Sequence, residues 1–258
     1  MFRKCTFTAS ALLFISLANV AQGADIMDAQ ASLTSGHYEQ AFDQAIAIDE
    51  TEALLVAAEA LNTKILLGQS DDEKADAQRA MAIGQSILTK NPDHNEAKLL
   101  YAISYGFYGR GMSPLSAWRK KMPQKIRATI ETAVAANAED PNSFALYGGW
   151  HMAVAAKAGT KRAKKMFGAT AQEGIVYFEQ ALSGAPDNIM INGNYIMMLY
   201  ASDPEQHGKK VEKLLAHMRT LEPQNAAERQ VQFVAKSLGE NIDEPKKAKK
   251  IAKKFLGW

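Results

Sequence analysis

Five histidines, at positions 37, 94, 151, 207 and 217, are the first residues in this sequence that could carry chemistry. Metal capture on a helix needs ligands three or four residues apart, and hydrolytic zinc sites add a glutamate between them. No pair of these histidines has that spacing. His37 and His94 read as turn or surface residues, and His151, beside Trp150, reads as a buried, hydrogen-bonded histidine rather than a base. Cys5 is the only cysteine and lies in the N-terminal leader, so thiol catalysis, cysteine-based zinc binding and disulfides are not expected in the mature chain. Glycines 106, 109 and 111 lack the preceding strand and the spacing of a dinucleotide loop, and they more simply end one helix and turn the chain toward Ser113-Pro114. We therefore expect no catalytic residues, no metal and no cofactor.

Binding residues are easier to find than catalytic ones. Tyr101, Tyr105, Tyr108 and Trp118 bring aromatics to one neighbourhood, which would either line a groove or fill a repeat interior. Trp150 and His151 join them as candidates. Asn192, Asn194 and Tyr195 follow Pro186 on a helix and could grip a peptide backbone through amide and hydroxyl groups, or form an ordinary polar face. A last group is cationic: Lys246, Lys247, Lys249, Lys250, Lys253 and Lys254. Asp243 or Glu244 can cap a helix opened by Pro245, on which Ala248, Ile251, Ala252 and Phe255 share the face opposite those lysines. That basic amphipathic helix, residues 243–258, would cap the body, bind an anionic membrane surface or engage an acidic partner.

The elements that must position these residues begin after a leader. Arg3 and Lys4 precede the apolar run Ala11 to Val20, too short to span a bilayer comfortably, and Ala21 and Gly23 precede a plausible cut before Ala24. Residues 1–23 are read as a signal peptide, which implies an exported protein, most simply periplasmic, either free or peripheral on a membrane. Without Arg3 and Lys4, 28 basic residues face 28 acidic ones; the body from 24 to 245 carries a net charge of minus six and the tail plus six. A mildly acidic body argues against a nucleic-acid groove. Apolar residues at three and four spacing recur throughout, as in Ala53, Leu54, Ala57, Ala58 and Leu61, while strand signals are nearly absent. The fold class is all-α.

One phrase repeats. Gly174, Phe178, Ala181 and Pro186 are spaced by four, three and five; the same spacing returns at Ala80, Gly84, Ile87 and Pro92, at Thr129, Ala133, Ala136 and Pro141, and at Val211, Leu215, Met218 and Pro223. Three residues make a stripe on one helix and proline stops it, so the unit is a helix pair. These residues resemble the second helix of the tetratricopeptide repeat, as do Gly36, Tyr38, Ala41, Ala45 and Ile48. The resemblance implies tandem antiparallel helix hairpins over residues 24–242 in an irregular right-handed superhelix of nine to eleven helices, with extra turns or loops around 107–123 and 158–170. A narrower stretch, about 140–235, with DPNSFALYGGWHMAVA, the basic insert KRAKKMFGA and EGIVYFEQAL, looks like the regulator of microtubule dynamics family. That likeness implies the same irregular helical repeats and no known reaction.

The expected function is a non-enzymatic envelope scaffold that holds a protein or extended peptide on its concave face. The alternative is a solute- or lipid-binding accessory of an envelope transport system, with an apolar pocket between repeats near Trp118, Trp150 and the tyrosines.

Overall fold

A computed structural model describes residues 25–258. The leader at 1–23, with Cys5, lies outside the described residues. Those residues form fourteen α-helices: α1 Ile26–Ser35, α2 Tyr38–Ile48, α3 Thr51–Leu66, α4 Glu73–Lys90, α5 Asn95–Tyr108, α6 Pro114–Arg119, α7 Met122–Ala136, α8 Pro141–Ala158, α9 Thr160–Phe167, α10 Ala171–Gly184, α11 Ile189–Ser202, α12 Pro204–Met218, α13 Ala226–Glu240 and α14 Pro245–Leu256. There are more helices than the nine to eleven expected because both inserts fold: the first becomes α6 and the second α9, each short. Ser113 caps α6, with Pro114 at its first turn.

Short polar caps punctuate the chain. Asp72, Asp140, Asn188, Asp203 and Asn225 each accept hydrogen bonds from amides in the first turn of the helix that follows, satisfying donors that the helix itself cannot. The repeated stripe is buried as expected in α4 (Ala80, Gly84, Ile87), α10 (Gly174, Phe178, Ala181) and α12 (Val211, Leu215, Met218). In α7 the register differs: Ile130 and Ala133 are buried, while Ala136 is exposed. Pro141 does not stop that helix either. Asn137 already ends it, and Pro141 opens α8 behind the Asp140 cap.

Packing follows the chain. Helices α1, α3, α5, α8, α11 and α13 touch one another in succession, while α2, α4, α7, α10 and α12 pack beside them, each against its chain neighbours in that inner row. Successive hairpins thereby cover one another's apolar sides. Two inner helices are buried on nearly every face: α3, with ten buried residues, and α11, with ten. Helices α8 and α10 pack closely where Gly148 and Gly174 meet; a Cβ on Gly174 would lie 2.8 Å from the Gly148 carbonyl oxygen.

The ends of the array meet. Gly36, in the left-handed turn between α1 and α2 at φ 93°, lies where a Cβ would come 2.8 Å from the Cβ of Ala226 at the start of α13. Across the same seam, burial raises the pKa of the Tyr38 hydroxyl, with Arg229 of α13 opposing and Glu59 of α3 adding. Helix α14 then docks on α11 and α13 through Ala248, Ala252, Phe255 and Leu256. Its far end traps Arg110, whose guanidinium lies 4.4 Å from the centre of the Phe107 ring and against Gly257, where a Cβ would come 2.8 Å from the Arg110 Nε.

Candidate functional site

The larger open groove, about 540 Å³, runs between α4 and the α6–α7 insert, with α5 beneath. Gln78, Met81, Ala82 and Gln85 supply its α4 wall, their three-one-three spacing placing them on one helix face. Tyr101, Tyr105 and Tyr108 form the floor, and Lys120 and Lys125 the opposite edge. Gly84 makes this possible: a Cβ there would sit 3.0 Å from the Cβ of Tyr101, so only glycine lets α5 lie this near α4 without displacement. The tyrosine rings step along the groove, Tyr101 to Tyr105 at 5.9 Å and Tyr105 to Tyr108 at 6.4 Å between centres. The Lys120 Nζ donates to the Tyr108 hydroxyl at 3.3 Å and lies 5.3 Å from the ring centre. Burial, with Tyr101 and Tyr108 adding, raises the pKa of Tyr105, so its hydroxyl keeps a proton to donate at neutral pH. Two cations, tyrosine hydroxyls and two amide side chains beside aromatic surface can hold an extended segment with carboxylate or backbone acceptors.

A smaller groove of about 330 Å³ occupies the equivalent place one repeat pair further on, between α10 and α12 above α11. Leu182, Pro186, Asn192, Lys210, Lys213, Leu214 and His217 line it. It offers less free polarity than its lining suggests. The Asn192 side chain donates to the Pro186 and Asn188 carbonyls at 2.7 and 3.0 Å, and His217 Nε2 lies 3.2 Å from both the Pro186 carbonyl and an Asp187 carboxylate oxygen.

The three candidates on α11 do not act together: their side-chain donors turn back to backbone carbonyls or to a carboxylate of the fold. Asn192 spends its amide N–H groups as described while its Oδ1 is buried without a partner, Asn194 donates to the Met190 carbonyl of its own helix at 2.9 Å, and Tyr195 is wholly buried, stacked on Phe178 at 4.7 Å with its hydroxyl on Glu179. Lys210 also pairs with Glu179. Burial, then that carboxylate, raises the pKa of Tyr195.

The tryptophan expectation divides. Trp118 is 46% exposed on α6 and Trp150 is 6% exposed in the core, and neither lines a groove. Trp150 donates its indole N–H to the Pro123 carbonyl at 3.0 Å, tying α8 to the start of α7. His151 sits beside it in a packed set with Tyr147 and Tyr177, at 4.8 and 5.5 Å between ring centres. Its Nδ1 accepts the Thr170 amide at 3.3 Å, with a Glu173 oxygen also at 3.3 Å. Burial lowers the His151 pKa more strongly than Glu173 raises it, so the ring is neutral, with its proton on Nε2. Tyr147 donates to Glu131 at 2.7 Å, and Arg127 bonds the same oxygen at 2.8 Å. The Tyr147 hydroxyl, the Trp150 indole N–H and the His151 Nδ1 are all held by structural partners. Among the described residues, no three histidine, cysteine or acidic side chains gather as a metal site.

Of the six tail lysines, five are exposed and Lys249 is half-buried, reaching the Ser202 carbonyl at 3.4 Å. The groove residues that the sequence reading missed are Gln78, Met81, Ala82, Gln85, Lys120 and Lys125. An uncharged face on the otherwise charged α4 was the only signal for the first four.

Residues 21–243 match the family described as Regulator of microtubule dynamics protein 1-3. The chain belongs to this family. The match spans the hairpins from α1 to α13 and ends just before α14, so the tyrosine groove lies within the part the family shares, while the basic C-terminal helix lies beyond it. No curated protein matches the chain closely enough to supply a relative.

Proposed function

We propose that this member of the regulator of microtubule dynamics family is a non-enzymatic scaffold that holds an extended, acidic protein segment in the tyrosine groove between α4 and the α6–α7 insert. The observation that carries this reading is the conjunction of a three-tyrosine floor with Lys120 and Lys125 along one open side. The hairpins act as a stiff tetratricopeptide-like superhelix, and the groove selects by shape, by hydroxyl and amide hydrogen bonds and by charge, with no bond made or broken. The leader read at residues 1–23 assigns the scaffold to the envelope, most simply the periplasm.

Fluorescence-polarisation titration of acidic, neutral and basic extended peptides against the full chain tests the reading. Acidic peptides carrying an aromatic residue should bind best, and Tyr105→Ala and Lys125→Glu should each weaken them about tenfold, the worth of one buried aromatic or charge-assisted contact. Equal binding of all three peptide classes, or binding indifferent to both substitutions, would remove the groove from consideration.

A further inference from the structure

Charge in this chain is segregated in a way that its near-zero sum conceals. From residue 97 to 130 there is no aspartate or glutamate and there are seven basic residues; from 141 to 172 there is again no acidic residue, with five basic ones. These two stretches contain the two inserts that interrupt the hairpins, α6 and α9. Both inserts lean on α7: α6 runs directly into it, and the Phe167 carbonyl at the end of α9 accepts from the Arg127 guanidinium at 2.9 Å.

The cations they carry are unpaired with carboxylates, although Lys120 also donates to the Tyr108 hydroxyl. Arg119, Lys120, Lys121, Lys125, Lys161, Arg162, Lys164 and Lys165 are all exposed, and none forms an ion pair among the described residues. Helix α6 buries no residue at all, leaving Leu115 53% and Trp118 46% exposed, and α9 leaves Met166 42% exposed beside its lysines. Apolar side chains set among unpaired cations are the composition of a surface that enters the headgroup layer of a bilayer, where an indole can bury its ring face and keep its N–H wet. Helix α14 offers the opposite case. Its lysines are exposed, yet its apolar face is already consumed by α11 and α13.

We infer that α6, the start of α7 and the adjoining α9 form a docking surface for a bilayer bearing anionic headgroups. Lysines and arginines supply attraction over a Debye length, and Leu115, Trp118 and Met166 supply short-range insertion. The inference is independent of the peptide groove, although Lys120 and Lys125 border both.

Co-sedimentation of the full chain with phosphatidylcholine vesicles, with and without phosphatidylglycerol, separates the possibilities. The protein should bind only the anionic vesicles, and less so as salt is raised. Arg119→Glu with Lys121→Glu, Lys161→Glu with Lys165→Glu, and Leu115→Ser with Trp118→Ser should each weaken binding about tenfold or more. The α14 pair Lys250→Glu with Lys254→Glu should change it by less than about threefold. The substituted side chains are exposed, so melting temperatures should match the parent. Quenching of tryptophan fluorescence by brominated phosphatidylglycerol, present in the parent and lost in Trp118→Phe, gives a readout that does not depend on any charge reversal. Failure of the parent to bind anionic vesicles overturns the inference, as does loss of binding through the α14 pair alone. Binding of polyglutamate or DNA that survives Leu115→Ser with Trp118→Ser, without vesicle binding, would assign the patch to an acidic macromolecule instead.

Discussion

Gly174→Ala is the substitution on which the repeat geometry makes its sharpest demand. In an open helix interior, alanine is worth about 0.8–1 kcal/mol more than glycine. Here the new methyl group would lie 2.5 Å from Met152 Cγ, 2.8 Å from the Gly148 carbonyl oxygen and 3.2 Å from the Met152 amide nitrogen. The methionine side chain can swing aside, but the two backbone atoms cannot move without α8, so the helices must part by roughly half an ångström along a closely packed seam. Overpacking of that kind costs about 1–3 kcal/mol, which leaves a net loss of up to about 2 kcal/mol after the propensity gain. Gly208, within α12, has no neighbour within 4 Å of a built Cβ, and Gly208→Ala should stabilise the fold by about 0.5–1 kcal/mol. Urea unfolding of the two variants beside the parent therefore predicts midpoint shifts of opposite sign with unchanged slope. Gly148→Ala meets the same seam, 2.8 Å from the Gly174 carbonyl oxygen and from Phe178 Cδ2, so the double variant should lose less than the sum of the two singles. A Gly174→Ala protein as stable as Gly208→Ala would refute the claim that glycine at this repeat position is fixed by helix–helix contact.

Other outcomes follow from the same coordinates. Because burial lowers the pKa of His151 below its unfolded value of about 6.5, its contribution is fully present above that pH and is lost as pH falls. His151→Gln should flatten the decline in melting temperature below about pH 6.5, leaving a smaller one in the same direction from His207, whose pKa burial also lowers. Phe255→Ala should cost about 2–4 kcal/mol, because the ring is 8% exposed in the contact of α14 with the body; unchanged melting would show that the helix does not cap the array. Asp140→Ala should cost about 1–2 kcal/mol by freeing the Asn142 and Ser143 amides, each held at 3.1 Å, and Asp140→Asn should recover most of it.

The parts of this structure that were legible in the sequence are those with local causes. The stripe of Tyr38, Ala41 and Ala45, the apolar run of α3 and the amphipathic tail announce themselves by spacing, and each forms its helix with the expected face buried. Tyr101, Tyr105 and Tyr108 likewise share a groove because one helix places them. Lys120 and Lys125 escaped notice because they reach that groove through an insert whose path no periodicity encodes. Asn192, Asn194 and Tyr195 were misleading for a different reason. A polar residue looks the same in a sequence whether its hydrogen bonds go to a partner or to its own helix, and α11 is buried on every face but the half-buried stripe of Met190, Asn194 and Met198. Its signal was the absence of charge from Ile189 to Ser202. The inserts were visible only as uneven spacing between prolines, which says how much chain is added but not that it coils.

The junction of Gly36 with Ala226 has a mechanical consequence. A row of hairpins with free ends behaves as a spring: it can widen or tighten, and its last units peel away first under load. Here the turn between α1 and α2 is braced against the thirteenth helix, so the two ends of the row are not free to separate. Opening the row between α1 and α13 must break that brace, and any smaller adjustment must come from rotation of side chains.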